Sequence, residues 1–306
     1  MDYEAEYKEL RKIINESAHI AFFGGAGVST ESGIPDFRSK DGLYNVRDVQ
    51  FERYSPEYLL SINCLEDEPN VFYEFYRQKL NVDGIEPNKA HIKLAEMEKA
   101  GKLDGIITQN IDGLHQKAGS TKVYEVHGST LRNYCKRCHK KYPADAIFTS
   151  KDPIPKCSIC GGMIRPDVTL YGEGLPSDAW RESVRLIEKA DCLIIGGTSL
   201  VVNPAASLAM GFRGRHLIII NRDVTPADRM AELSIILKWL HEGGHKNILL
   251  EKTSKSAAFR IKVPKIEMGK PFETWKMGDL DACFEAIQEL SDLAAMFAVI
   301  NEVIFR

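Results

Sequence analysis

His19-Ile20-Ala21-Phe22-Phe23-Gly24-Gly25-Ala26-Gly27-Val28-Ser29 is the stretch whose pattern decides the fold. Its first five residues form a compact apolar run. The glycines then close it abruptly, as a buried strand closes when it enters a tight turn. The same pattern recurs downstream. Gly105-Ile106-Ile107-Thr108 ends in Gln109-Asn110, Cys192-Leu193-Ile194-Ile195 ends in Gly196-Gly197-Thr198-Ser199, and the run 216–220 ends in Asn221. Helix-like stretches stand around these runs: 7–17, with Leu10, Ile13 and Ile14 on one face, then 88–100, 180–189 and 204–212. Strands alternating with helices predict an α/β fold with a Rossmann-like, doubly wound parallel sheet. Ligands of such sheets bind beyond the carboxyl ends of the strands, where these glycines and polar residues fall.

Two segments interrupt the alternation. Residues 36–87 carry short helical patterns rich in aromatics, including Phe72, Tyr73, Phe75 and Tyr76. Residues 131–165 hold four paired cysteines and little apolar material. Both read as insertions into the sheet domain, with bounds of about 39–87 and 129–166. The core would span 1–240, with 241–306 as an extension.

The whole chain has 306 residues, of which 44% are apolar and 27% charged, with 40 basic and 43 acidic side chains. A formal charge of -3 provides no global field for nucleic acid or an anionic membrane. No apolar run approaches the roughly 18 residues of a membrane span. The acidic opening MDYEAEYKEL lacks the character of a secretory signal. Seven cysteines, odd in number and partly in tight pairs, argue against a disulfide scaffold and for a reduced, cytoplasmic protein with a metal site.

The glycine loop Gly25-Ala26-Gly27-Val28-Ser29 allows close backbone approach to a pyrophosphate. The third glycine of the ordinary dinucleotide fingerprint is replaced by Thr30, and Gly33 and Pro35 punctuate the following helix. Cys135-x-x-Cys138, eighteen residues, then Cys157-x-x-Cys160 has the spacing of a four-thiolate zinc ribbon. Four protein ligands leave no open position, so such a metal is structural. His139 is a competing ligand by position but is expected to be exposed. With thiolates and metal included the insert carries about +4, which admits a nucleic-acid-binding ribbon, but the regular stacking aromatics of single-strand binders are missing.

Thr108-Gln109-Asn110-Ile111-Asp112 sets two amides and a carboxylate directly after a buried strand, where polar side chains act as turn formers or as site residues. Val123 to Gly128 then places His127 at the end of another short strand, and histidine is the natural general base near neutral pH. His91, His115 and His216 receive no functional reading.

Together these residues resemble the sirtuins, NAD-dependent protein lysine deacylases. The matching tracts, in family order, are Gly25-Ala26-Gly27-Val28-Ser29, Gly33-Ile34-Pro35-Asp36-Phe37-Arg38-Ser39, Thr108-Gln109-Asn110-Ile111-Asp112, His127-Gly128, the four cysteines, Gly172-Glu173 and Gly197-Thr198-Ser199-Leu200. The resemblance implies NAD as co-substrate, one structural Zn²⁺, a smaller domain made of the zinc-ribbon insert and the helical insert beside the large nucleotide-binding domain, and an active site in the cleft between the two. It implies that Gly25, Ala26, Gly27, Ser29, Gly197, Thr198, Ser199 and Asn221 hold the ADP and ribose part of NAD. Asp36, Phe37 and Arg38 would belong to a cofactor loop, and Gln109, Asn110, Ile111 and Asp112 would hold the nicotinamide ribose and carboxamide. His127 would be the catalytic base, with Asn110 and Asp112 in the catalytic group. Val168, Leu170, Gly172 and Glu173 would receive the peptide and the acyl-lysine stem.

The implied reaction starts with attack of the acyl amide oxygen on the anomeric ribose carbon as nicotinamide leaves, so no protein nucleophile is needed. His127 then activates a ribose hydroxyl. The products are free lysine and O-acetyl-ADP-ribose, and the partners are acetylated proteins or peptides. Relatives that prefer acidic acyl chains carry a Tyr-x-x-Arg pair in the helical insert. The corresponding stretch here is read as Phe75-Tyr76-Arg77-Gln78-Lys79, with lysine in place of arginine. An uncharged short acyl group is favoured; the alternative is that Arg77 or Lys79 still admits acidic acyls. Mono-ADP-ribosyl transfer and a non-catalytic NAD-sensing or nucleic-acid-binding role are the competing functions. In the tail, 235–240 reads as part of a closing strand. Leu280, Cys283, Phe284, Ile287, Leu290 and Ala294 predict a terminal helix over 279–300, capped by Asp279.

Overall fold

The structure, a computed structural model, describes residues 4–37, 42, 50–236 and 257–258. Arg38, most of 39–49 and the predicted helix 279–300 with Cys283 lie outside the described residues.

In chain order, α1 (Glu4–Glu16) leads into β1 (Ile20–Gly24), followed by two short 3₁₀ turns. The helical insert holds α2 (Pro56–Leu59), α3 (Ile62–Asp67) and α4 (Pro69–Lys79). Then come α5 (Lys89–Lys99), β2 (Leu103–Thr108), α6 (Leu114–Lys117) and β3 (Val123–Glu125). The ribbon insert contributes β4 (Gly128–Cys135), β5 (Lys141–Pro143), α7 (Asp145–Phe148) and β6 (Ile164–Val168). The chain returns to the sheet through α8 (Ser177–Lys189), β7 (Cys192–Gly196), α9 (Ala205–Met210), β8 (His216–Asn221), β9 (Leu233–Ile236) and β10 (Ala257–Ala258).

Seven strands form one parallel sheet in the order β10-β9-β8-β7-β1-β2-β3. The four apolar runs are its middle strands, as their doubly buried pattern requires. Alternate side chains divide between the two faces. Ile20, Phe22, Ile106, Ile194 and Ile218 pack with Leu10, Ile13, Ile14, Leu94 and Met97 of α1 and α5. Ala21, Phe23, Ile107, Leu193, Ile195 and Ile219 pack with Leu186, Ile187, Leu208 and Ala209 of α8 and α9. Each fully buried Ile, Leu or Phe contributes about 1.5–3 kcal/mol. The helices differ slightly from the expected spans. α8 begins earlier, at Ser177 behind Pro176, with Asp178 in its first turn. α9 stops at Met210 before Gly211. The closing strand starts before Ile235, at Leu233.

The second sheet is antiparallel, in the order β5-β4-β6. Its core is shared with the helical insert: Phe72, Tyr73, Phe75 and Tyr76 of α4 cluster with Cys135, Cys157, Ile164, Val168 and Leu170. Neither insert buries enough apolar surface by itself, and together they make one compact layer. No helix among the described residues is long and apolar enough to cross a membrane.

Candidate active site

The strand order changes direction at β1, which sits between β2 and β7. The turns leaving β1 and β7 therefore diverge and open a crevice at their carboxyl ends. Both turns are glycine-rich because they cross at backbone contact. The Gly25 amide donates to the Gly196 carbonyl at 3.2 Å and the Gly27 amide to the Gly197 carbonyl at 2.8 Å. Gly197 has φ +59, and a Cβ there would lie 2.4 Å from the Val28 nitrogen. The long helix of an ordinary dinucleotide fold is replaced by the 3₁₀ turns Ala26–Val28 and Thr30–Ser32, which end at Gly33.

A cavity of about 980 Å³ occupies the crevice. It brings together Gly25, Ala26, Gly27, Asp36, Phe37, Gln109, Asn110, Ile111, His127, Gly197, Thr198, Ser199 and Asn221 with the segment 168–173. The Gln109 amide Nε2 donates to Thr198 Oγ1 at 2.9 Å, tying the end of β2 to the end of β7. Asn221 Nδ2 donates to the Thr198 carbonyl at 2.9 Å and ties in β8.

His127 follows β3 and is held where that strand meets the ribbon insert. Gly128, at φ +78, makes the crossing possible: a Cβ there would lie 2.0 Å from the Asp167 carbonyl. Nδ1 of His127 donates to the Gln109 carbonyl at 3.0 Å. That bond fixes the neutral tautomer with the Nε2 lone pair available. Burial pushes the imidazole below its ordinary range, and the bond to the Gln109 carbonyl opposes this in part.

Ser29, expected with the residues for the ADP and ribose part of NAD, and Asp112 do not line the main cavity. With Asn110 they border a separate cavity of about 130 Å³. Ser29 Oγ donates to Asp112 Oδ2 at 2.7 Å and accepts from Asn110 Nδ2 at 3.0 Å. Asp112 Oδ1 accepts the Leu114 amide at 2.9 Å. Behind this hub stands His91, which the sequence reading left without a role; its Nε2 lies 3.3 Å from Ser29 Oγ. Nδ1 of His91 lies 3.3 Å from the Asn88 amide and 3.0 Å from Asn88 Oδ1, in a capping box at the start of α5 that turns the ring toward Ser29. The signal for His91 was its place three residues after the cap residue Asn88, on the inward face of the helix.

The segment 168–173 forms the opposite wall. The Thr169 amide donates to the His127 carbonyl at 2.9 Å, and Tyr171 pairs with Leu60 and Ile62 through backbone bonds of 3.0 Å each. The main cavity near His127 is apolar, with Phe37, Ile111, Val168 and Leu170; its one Lys or Arg among the described residues is Arg222, beside Asn221. Arg77 does not line either cavity. Its guanidinium donates to the carbonyls of Ile147, Asp152 and Pro153 at 2.8, 2.8 and 3.0 Å, fastening α4 to the ribbon. Lys79 borders the smaller cavity.

The four cysteines converge. Their Sγ atoms all lie within 4.8 Å of one another, with 3.5 Å between Cys135 and Cys160 and 3.6 Å between Cys138 and Cys157. A tetrahedral zinc with bonds of about 2.3 Å sets its sulfurs about 3.8 Å apart, so the set fits that ion. His139 is exposed and outside the cluster.

Comparison with known proteins agrees with this geometry. The profile of the Sir2 family matches residues 25–204. An NAD-dependent protein deacetylase of Clostridium acetobutylicum is 52% identical over 227 residues, covering 74% of this chain and 92% of its own. One of Clostridium perfringens is 53% identical over 229 residues, with the same coverages. A Sir2 structure with a deacetylated p53 peptide and 3′-O-acetyl-ADP-ribose superposes with a TM-score of 0.68 at 39% identity, over 74% of this chain and 91% of that one. A Sir2 structure bound to a propionylated peptide gives 0.66 at 38% identity, over 75% and 92%. The chain belongs to the Sir2 family.

Proposed function

We propose that this protein removes acetyl groups from protein lysines with NAD as co-substrate, and that His127 is its general base. The observation that carries this reading is the position of His127. Its Nδ1 bond to the Gln109 carbonyl leaves Nε2 as the acceptor nitrogen, and it lines the cavity together with the glycine crossing and the 168–173 wall. NAD supplies the ribose carbon that takes up the acyl group and releases nicotinamide.

The crossing of residues 25–27 with 196–197 offers backbone where side chains would block a dinucleotide: a Cβ on Gly27 would lie 2.8 Å from the Gly197 Cα. Gly25, Ala26, Gly27, Thr198, Ser199 and Asn221 would hold the adenosine and phosphates; Gln109, Asn110 and Ile111 would orient the nicotinamide ribose. Ser29 and Asp112 would act with Asn110 at the smaller cavity, suited to a carboxamide that both donates and accepts. Asp36 and Phe37 would cover the reacting centre and exclude water. His127 Nε2 would take the proton of a ribose hydroxyl. Val168, Leu170, Gly172 and Glu173 would receive the peptide, and the apolar lining favours an uncharged short acyl group.

Residues 1–240 would form the catalytic unit with its two inserts, and 241–306 a C-terminal extension. One zinc would close the ribbon through Cys135, Cys138, Cys157 and Cys160. Reduced thiols in that role suit a cytoplasmic location.

Incubation with NAD and an acetyl-lysine peptide is expected to release nicotinamide and O-acetyl-ADP-ribose in equal amounts, measured by mass spectrometry. Label from adenine-labelled NAD appearing on protein instead would replace this reading with ADP-ribosyl transfer. Gly197→Ala is expected to raise the KM for NAD by about tenfold or more, because the added methyl must displace the Val28 backbone. An unchanged KM would remove the glycine crossing from the NAD site.

A further inference from the structure

Arg165 lies on β6 beside Ile164, the register partner of Cys135, and is only 5% exposed. Its guanidinium makes two parallel bonds to Glu173, Nη1 to Oε1 at 2.6 Å and Nη2 to Oε2 at 2.8 Å. Nη2 also donates to the Val168 carbonyl at 2.9 Å and Nε to the Pro166 carbonyl at 3.1 Å. The guanidinium Cζ lies over the Tyr134 ring, 5.5 Å from the ring centre. Glu173 Oε2 accepts the Leu170 amide at 3.0 Å, and the Glu173 amide donates to the Leu170 carbonyl at 3.0 Å.

We propose that Arg165 is the positioning residue for the acyl-peptide, its fork to Glu173 closing residues 165–173 into a ring that sets the backbone of the substrate wall. The inference rests on the assignment of that wall to the peptide under Proposed function. All six residues of 168–173 border the main cavity. The odd positions are anchored outward, Thr169 on His127 and Tyr171 on Leu60 and Ile62. Val168 and Leu170 are anchored inward by the Arg165–Glu173 pair. The wall is thus held from both sides, and the guanidinium links the two inward anchors by bonding both the Val168 carbonyl and the Glu173 carboxylate that takes the Leu170 amide. Each Glu173 oxygen accepts from the Arg165 guanidinium and Oε2 also takes the Leu170 amide, so the carboxylate is held in the ring. Lysine cannot replace the fork, because an ammonium offers a point charge without the planar geometry that reaches a carboxylate and two carbonyls together.

The test uses the full chain loaded with zinc, a fluorescent acetyl-lysine peptide and steady-state kinetics. Arg165→Lys is expected to raise peptide Kd and KM about tenfold while the NAD KM stays within about twofold. The double variant Arg165→Met/Glu173→Leu removes the buried charges together, which restores stability if Arg165→Lys folds poorly. Its peptide KM should remain raised, because the bonds to the Val168 carbonyl and the Leu170 amide are still missing. A peptide KM that recovers with stability in the double variant, or one unchanged in both variants, overturns the proposal. Wild-type protein that fails to turn over the acetyl-peptide would instead refute the deacetylase reading itself.

Discussion

Replacing His127 with alanine is expected to lower turnover of acetyl-peptide by about 10²–10⁴-fold, the range for loss of a positioned general base. The fold should survive. The substitution removes one hydrogen bond, to the Gln109 carbonyl, worth on the order of 1 kcal/mol. NAD binding measured by calorimetry should persist, because the glycine crossing and the Thr198–Gln109–Asn221 contacts do not involve the imidazole. The pH profile carries a second signature. Burial lowers the His127 pKa, so its neutral, active form persists to lower pH than for an exposed histidine. The acid limb of kcat/KM is therefore expected below about 6.5 and should be absent from the residual activity of His127→Ala. Burial also holds His91 and His115 down, His115 to about 3. Depressed values mean that the unfolded chain binds protons first. Their contribution to stability is present above about 6.5 and is lost as the pH falls toward the folded values. Loss of rate with structure intact would report His127, whereas loss of structure in acid would report the buried histidines together with the paired carboxylates Asp104, Glu173 and Asp191, whose lowered pKa values act in the same direction.

The large sheet was legible because its signal is local. Apolar runs such as 192–195, ended by Gly196-Gly197, specify both a buried strand and its terminus, and every such run became a central strand. The cysteine quartet was legible for the same reason, as two short pairs with ribbon spacing. What spacing could not supply was the orientation of polar side chains. Ser29 sits in the glycine loop by sequence, yet its hydroxyl turns to Asp112, 83 positions away. By its spacing His91 is one more inward-facing helical residue, and only the fold brings its ring against Ser29. Arg77, read as a possible acyl ligand, is occupied by three ribbon carbonyls 70 to 76 residues downstream. The Ser29–Asp112, His91–Ser29 and Arg77–ribbon contacts each join segments more than 60 residues apart, and they exist only once the chain has folded. A one-dimensional pattern carries no term for such contacts.

Removing the zinc, by chelation or by Cys135→Ser, is expected to abolish acetyl-peptide turnover while leaving an NAD-binding sheet folded. Cys135 and Cys157 are buried members of the same cluster as Phe72, Tyr73, Tyr76, Ile164, Val168 and Leu170. The ribbon sheet has only three strands, and β5 has three residues, too little apolar surface to stay ordered by itself. Structural zinc in small thiolate sites contributes on the order of 10–16 kcal/mol of apparent binding free energy, as much as the whole stability of a typical domain. Without it the four thiols would remain in close quarters with no ion to hold them, and Ile164 would lose its register with Cys135. The damage passes directly into the 168–173 wall and to the His127 carbonyl that accepts Thr169. The two cores on the faces of the parallel sheet share no member with that cluster, so they are expected to unfold in a separate, later transition. Thermal unfolding followed by circular dichroism should therefore change from one transition to two as chelator is added. Calorimetric titration with NAD should still register binding at a temperature between them. Chelated protein that keeps full turnover and a single unmoved transition would show the thiolate site to be dispensable.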